Sequence, residues 1–241
     1  MFGLGTLVNA AGVVAGGFLG LLIGSRLPHG LQDSLMKATG LAVLFLGLAG
    51  ALEQMLQVSQ GQLVSRGSML VIISLTVGTL IGEALNIEQA FEDFGKWLKR
   101  VTKNERDTTF VDAFVTASLT ICIGAMAVVG SIQDGLRGDY SILLAKAVLD
   151  AIIVLILTVS KGKGALFAAV PILLIQGSLT LLAHFLAPIM TAAALDNLSM
   201  IGSILIFCVG INLIWGKLLK VANMLPALIL AVMLTFLPFF G

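Results

Sequence analysis

The sequence predicts an all-helical polytopic membrane protein of about eight spans, on three observations. Its 241 residues are 58% hydrophobic and only 11% charged, whereas a soluble domain carries about 25% charged residues and could not cover so much apolar surface. Apolar runs of about 20 residues, the length that crosses hydrocarbon, follow one another with short polar links between them. Lysine and arginine collect in alternate links, the asymmetry left by membrane insertion.

Spans are predicted at Leu4–Ser25, Met36–Leu52, Ser68–Leu85, Phe110–Ile132, Tyr140–Ser160, Ala165–Leu186, Met200–Trp215 and Val221–Phe239, forming one transmembrane domain over 1–241. The chain opens without the basic stretch of a cleaved leader and runs apolar to Ile23, which predicts a retained helix. Along that first helix Gly12, Gly16, Gly20 and Gly24 recur every fourth residue. Such a smooth stripe lets another backbone approach closely, either within the subunit or in a second copy, so a homo-oligomer through this face is one expectation. The second and seventh spans are short enough to be tilted, broken or extended by flanking turns.

Between the third and fourth spans, Ile87, Phe91, Phe94, Leu98 and Val101 recur at spacings of three and four, opposite Glu88, Glu92, Lys96, Lys99 and Arg100. This pattern predicts an amphipathic helix within 87–106 on the cytoplasmic membrane surface, with Trp97 at headgroup level. The alternative is an arm that packs on the protein itself.

Of 14 basic residues, the links after the first, third, fifth and seventh spans hold Arg26, Lys37, Lys96, Lys99, Arg100, Lys103, Arg106, Lys161, Lys163, Lys217 and Lys220. The other links hold Arg66 and Arg137, and Lys146 lies inside a span. The positive-inside rule therefore puts the odd links in the cytoplasm and both termini outside, as an even span count requires.

Two short resemblances recur. Gly20–Leu27 reads GLLIGSRL against GTLIGEAL at Gly78–Leu85, and Leu119–Gly130 reads LTICIGAMAVVG against LIFCVGINLIWG at Leu205–Gly216. The second pair falls on helices of opposite direction, so spans three to five and six to eight are expected to form an inverted repeat, a plan that secondary transporters use to alternate access to a midplane site.

The polar residues inside spans carry the functional reading. Lys146 and Asp150 stand one helical turn apart in an otherwise apolar run. Each charge costs roughly 2.5 to 3.5 kcal/mol at mid-membrane on insertion scales, so the pair needs a partner, a wet cavity or a task. An intrahelical ion pair is the plain explanation, and a proton relay or cation site is the functional one. Asn212, between Gly210 and Gly216, is placed where an unwound turn would expose carbonyls to an ion or polar solute. Gln176, Asn9 and Asn223 would line the same path, or else bond neighbouring helices together. Gln133 and Asp134, at the outer end of the fourth span, would mark its entrance or simply end the helix.

Several classes of function are excluded by composition. A formal charge of +1 gives no footing for nucleic acid. Cys122 and Cys208 lie singly in apolar runs, with no CxxC and only two histidines in the chain, so neither a disulfide framework nor a metal site is expected. HExxH, GxSxG and GxxxxGK[ST] are missing, so no enzyme activity and no cofactor are expected.

Four stretches carry a family resemblance: VNAAGVVAGGFLGLLIGSRLP, FVTASLTICIGAMAVVGSIQDGLRGD with LLAKAVLD, PILLIQGSLTLLA, and VGINLIWGKLLKVANMLPAL. Together they resemble the YqgA/YdfK family of bacterial inner-membrane proteins, filed under a domain of unknown function. The resemblance implies a multi-pass protein of the bacterial inner membrane, often assigned to transport without an established substrate. Its pattern includes the positions of Asn9, Gln133, Asp134, Lys146, Asp150, Gln176, Asn212, Asn223 and Pro226. The expectation is a transporter or channel for a small ion or polar metabolite in contact with lipid; the rival is a structural or regulatory membrane oligomer without transport activity.

Overall fold

The computed structural model describes residues 3–24, 26–59 and 61–237. In chain order it contains α1 (Leu4–Gly24), α2 (His29–Met55), β1 (Leu56–Ser59), β2 (Gln62–Ser65), α3 (Ser68–Leu85), α4 (Ile87–Val101), α5 (Phe110–Cys122) and α6 (Ala125–Arg137). There follow α7 (Ser141–Lys161), a 3-10 turn (Lys163–Ala168), α8 (Ala169–Leu181), α9 (Ala183–Leu186), α10 (Ala192–Trp215), a second 3-10 turn (Val221–Met224) and α11 (Pro226–Leu234).

Six stretches are helical, long and apolar enough to cross a membrane: Leu4–Gly24, Gly30–Met55, Ser68–Leu85, Ser141–Lys161, Lys163–Leu181 and Ala192–Trp215. The bent pair α5 and α6 would make a seventh, and Val221–Leu234 is apolar but shorter. Each predicted apolar run thus contains helix, but the length test meets the expected eight only in part. The second and seventh runs are longer than predicted, because their polar ends continue the helix instead of turning. The predicted ends at Ser25 and Phe239 lie outside the described residues.

Two departures from the expected links have local causes. Between α2 and α3 the alternating sequence LQVSQGQLVS forms an antiparallel hairpin rather than a polar link, with Ser59 opposite Gln62 and Gly61 at φ 77° in the turn. The amphipathic helix stops at Val101, short of 106, because Lys103 takes φ 55° and the Asn104 N–H bonds back to the Lys99 carbonyl. Its Leu98 is buried and Phe94 packs edge-on against Phe114 of α5 at 5.7 Å, while Trp97 and Val101 stay exposed. The helix therefore both packs on the protein and presents an apolar edge outward.

The chain divides into two compact units, Met1–Thr39 with Gln89–Leu186 and Gly40–Glu88 with Ala187–Gly241. In the first, α1 and α7 run parallel and in register: Gly12 faces Ala147, Gly16 faces Ala151, Gly20 faces Leu155 and Gly24 faces Val159. A Cβ at Gly20 would lie 2.6 Å from the Leu155 carbonyl oxygen, and one at Gly16 would run into that of Ala151. Of the two neighbours that the stripe allows, the one at these four glycines belongs to the same chain. Its backbone fills the stripe, since only residues without Cβ allow helices so close.

Also in the first unit, α5 and α6 bend by 64° at Ile123 and Gly124, where Gly124 sits at φ 140° and ψ 154°. Gly164 packs against Phe110 at the start of the pair, and Gly135 packs against Thr180 and Ala183 near its end. Residue numbers rise together on both sides, so the bent pair runs beside Lys163–Leu181 in the same direction, from one end to the other.

In the second unit, Gly40, Gly47 and Gly50 meet Ile214, Phe207 and Ser203, so α2 and α10 are antiparallel. Gly78 and Gly82 meet Ala227 and Asn223, so α3 and α11 are antiparallel as well. Leu70, Met200, Ile201, Ala227 and Ala231 form the core of this unit. Cys208 lies in the unbroken α10, so the resemblance between Leu119–Gly130 and Leu205–Gly216 does not extend to the backbone, which breaks only in the first copy.

Candidate functional site

The site begins at the break between α5 and α6. A helix leaves its last carbonyls without intrahelical partners and carries partial negative charge at that end. At the end of α5 the carbonyl of Ile121 accepts a 2.7 Å bond from the Lys146 ammonium. Lys146 also donates to both oxygens of Asp150, each at 2.8 Å. Three donors meet three acceptors, so the ammonium is fully paired. Lys146 is 7% exposed and Asp150 3%.

Asn9 of α1 joins this pair from the side. Its amide lies within interaction range of the Asp150 carboxylate, and its Nδ2 donates to Gln176 Oε1 of α8 at 3.2 Å. Two buried polar atoms of this bridge, Asn9 Oδ1 and Gln176 Nε2, have no protein partner. One turn further along α1 and α8, the hydroxyls of Thr6 and Thr180 lie 3.4 Å apart. Because the two helices are antiparallel and both periodicities are met, threonines and amides form successive rungs between them.

A cavity of about 520 Å³ opens beyond the threonine rung, lined by Thr6, Leu7, Gly135, Gly177, Thr180 and His184 among others. Its lining reaches Gly177 and Leu173, on either side of Gln176, but includes neither Asn9 nor Gln176 nor either member of the ion pair. The first unit thus holds an open chamber, two polar rungs, and a closed Lys146–Asp150 pair at a helix break.

The other predicted residues have different surroundings. Asp134 is fully buried and accepts the Gly5 N–H at 3.0 Å, placing its carboxylate at the amino end of α1, where helix polarity favours a negative group. Gln133, beside it on α6, is half-buried. In the second unit Asn212 is not in an unwound turn, as α10 continues to Trp215. Its Oδ1 accepts the Leu218 and Leu219 N–H groups at 3.0 and 2.9 Å, and its Nδ2 donates to the Leu219 carbonyl at 2.7 Å. It clamps the turn that follows.

Asn223 works similarly. Its Oδ1 accepts the Glu88 N–H at 2.7 Å, while Glu88 Oε2 accepts the Ala222 N–H at 3.1 Å, a reciprocal cap between α4 and the second 3-10 turn. Lys217 completes the lock with a 2.9 Å ion pair to Glu88. Asn9, Gln176, Lys146 and Asp150 are therefore brought together, whereas Asn212 and Asn223 serve backbone turns of the second unit.

Two members of the cluster escape a reading of the sequence for ionisable and amide side chains. Thr6 signals itself only by lying three residues before Asn9, and Thr180 by lying four after Gln176. The Ile121 carbonyl has no side-chain signature, although glycine at 124 marks a place where the helix can part. Among the described residues no group of three or more His, Cys, Asp or Glu side chains is arranged to hold a metal.

The sequence profile described as "Protein of unknown function (DUF554)" matches residues 4–236. The chain is 30% identical over 226 residues to "Uncharacterized membrane protein YdfK" of Bacillus subtilis (strain 168), covering 94% of this chain and 93% of that protein. It is 29% identical over 236 residues to "Uncharacterized protein YqgA" of Escherichia coli (strain K12), covering 96% of each. No solved structure matches the chain.

Proposed function

We propose, for a chain that belongs to the DUF554 family of proteins of unknown function, that it moves a small ion or polar solute across the bacterial inner membrane. The observation that carries this reading is the Lys146 ammonium held between Asp150 and a buried terminal carbonyl of a broken helix. Broken helices tolerate free backbone groups within hydrocarbon only where protein or water satisfies them, and transporters use such breaks to coordinate ions. Two leucines at 146 and 150 would avoid the insertion cost entirely, so retention of the charges fits a task. The chamber and the rungs Thr6–Thr180 and Asn9–Gln176 offer a polar route toward the pair, which this conformation keeps shut.

An even number of crossings, with both termini outside, belongs to the same proposal. One step of it is supported by the parallel course of α1 and α7: if α2 and α3 each cross once, the bent pair must cross as well for α7 to run with α1, and an even total then requires the shorter α11 to cross too. The inverted repeat enters as a relation of sequence only, and the break in one copy confines the site to the first unit. No catalytic chemistry is assigned, in keeping with the lack of a nucleophile, base and metal constellation in the sequence.

A structural role is favoured by one specific observation, the complete pairing of Lys146, which leaves it no spare donor. Flux separates the readings. Reconstituted protein should carry current or take up radiolabelled alkali cations in liposomes, and Asp150→Asn and Lys146→Met should each reduce that flux at least tenfold. Unchanged flux in both variants removes the pair from the mechanism, and no wild-type flux for ions or small polar solutes favours the structural role. Cys122, within electrostatic reach of Lys146 and Asp150, is a native reporter. Its maleimide labelling should rise under transport conditions and stay at its resting level if the interior never opens.

A further inference from the structure

We propose that Lys103, Arg106 and Lys163 form a binding site for the phosphate headgroup of an anionic membrane lipid, beside the apolar edge of α4. This inference stands apart from the transport reading. A polar pocket of about 520 Å³ lies between the loop that follows α4 and the turn that follows α7, lined by Lys103, Asn104, Glu105, Arg106, Asp107 and Lys163. One apolar stretch ends at Lys161, the next begins at Lys163, and the bent pair begins at Phe110. The pocket is therefore level with the ends of three such stretches, where headgroups lie against a membrane protein.

The backbone gathers these cations from distant parts of the chain. Gly162 sits against the Thr109 hydroxyl and Gly164 packs on the Phe110 carbonyl, which sets Lys163 beside the loop. Across the pocket, Lys103 takes φ 55° as α4 ends, and the Asn104 N–H bonds back to the Lys99 carbonyl at 2.9 Å. Left-handed backbone falls most easily to glycine or asparagine, so a lysine here stands against the local preference. Asp107 pins the other end of the loop, its Oδ1 accepting the Thr109 N–H at 3.0 Å and the Thr109 hydroxyl at 2.8 Å.

Charge and apolar surface together select the ligand. Lys161, two residues before Lys163, is held by Asp112 at 2.6 Å, and Lys96 is held by Asp93 at 2.8 Å. Among the described residues no such ion pair engages Lys103, Arg106 or Lys163. Three cations face two carboxylates, Glu105 and Asp107, so the lining carries one net positive charge. A phosphodiester carries one negative charge, guanidinium and ammonium groups are its natural partners, and basic pockets at span ends take lipid phosphates. Trp97 and Val101, in the last turns of α4, are 50% and 59% exposed, and Trp97 stacks on Phe94 at 5.6 Å. A free phosphate would use the cations alone. A lipid uses both, with its phosphate in the pocket and its acyl chains along the Trp97 and Val101 edge.

The test uses full-length Trp215→Phe protein, in which Trp97 is the one tryptophan left of two. It is reconstituted in phosphatidylcholine liposomes containing brominated phosphatidylglycerol or, at equal mole fraction, brominated phosphatidylcholine. Trp97 fluorescence should be quenched by both, with an apparent affinity about tenfold greater for phosphatidylglycerol. Combining Lys103→Gln, Arg106→Gln and Lys163→Gln should remove that preference. Combining Lys96→Gln, Lys99→Gln and Arg100→Gln takes the same charge from α4 outside the pocket and should leave the preference within about twofold. Equal quenching by the two lipids in the parent protein, or no quenching by either, overturns the inference. Equal loss in both triple variants reduces the site to a diffuse basic surface and overturns it too. Loss of the preference in excess inorganic phosphate reassigns the pocket to a soluble anion and overturns the lipid. Should the pocket triple not reconstitute, Lys163→Gln alone should weaken the preference about fivefold, and an unchanged preference overturns the site.

Discussion

The two units contain the same backbone module and fill it with different chemistry. In the first, α7 ends at Gly162 with φ 98° and ψ −175°, followed by Lys163, a 3-10 turn and α8 with Pro171 in its first turn. In the second, α10 ends at Gly216 with φ 86° and ψ −178°, followed by Lys217, a 3-10 turn and α11 with Pro226 at its start. Both glycines adopt a conformation that side chains resist, which ends each long helix at one residue. The modules part company inside the long helix. α7 buries Lys146 and Asp150 near its middle, whereas α10 buries no ionisable residue except Cys208 and keeps its clamping amide, Asn212, near the end. One backbone plan thus supports a charged interior in one unit and a hydrogen-bonded corner in the other. The chemistry follows what packs alongside: a broken helix that needs a cation at its end, or a turn that needs its amides satisfied.

The largest expected effect breaks the first module mechanically. Gly16→Val sets a side chain against the Ala151 carbonyl, and helix backbones cannot yield as a flexible side chain would. Overpacking of this kind costs about 3 kcal/mol or more, so monodisperse yield in detergent should collapse. Gly82→Val meets the Asn223 carbonyl in the second unit and should be as damaging. If only one of the two is harmful, the units do not depend equally on close backbone packing.

A middle-sized effect separates clamp from path. Asn212→Ala removes three bonds from a partly exposed turn and should cost about 1 to 2 kcal/mol, lowering Tm by several degrees with transport unchanged. Gln176→Ala should instead alter transport at a comparable stability cost. Loss of flux in Asn212→Ala without a fall in Tm would sink this division of labour.

The smallest effect lies at the helix starts. The exposed Asp139 carboxylate accepts the Ser141 N–H at 3.0 Å at the start of α7, while Thr191 Oγ1 accepts the Ala194 N–H at 3.2 Å at the start of α10. The Ser141 backbone bond holds Asp139 below the ordinary carboxylate range. A lowered folded pKa adds stability above the unfolded value of about 4, and that stability disappears as pH falls through the folded value. Asp139→Asn should therefore lower Tm slightly at pH 7 and not at all below the folded pKa. Thr191→Ala should lower it equally at both, as measured by melting across pH.

How far the sequence could be read depended on the range of the interaction. The Lys146–Asp150 pairing was legible because one helical turn separates its members, and the apolar runs were legible because crossing hydrocarbon is a property of each segment alone. Asn212 misled because glycines on both sides permit an unwound turn, and only its neighbours decide whether one forms. The hairpin at 56–65 is encoded locally, by alternation and a glycine turn, in a stretch whose position between two apolar runs predicts only a link.

By itself the sequence determined that the chain is a helical membrane protein, where its apolar segments lie, and that a lysine and an aspartate share a helix face. Hydrophobic length and helical period set these, and both are local. Tertiary structure alone decided that the glycines of α1 receive α7, that Asn9 meets Gln176 across 167 residues of chain, and that the Ile121 carbonyl turns toward Lys146. Those contacts depend on which distant backbones approach closely enough to leave a carbonyl or an amide in need of a partner, and no local pattern of residues encodes that need.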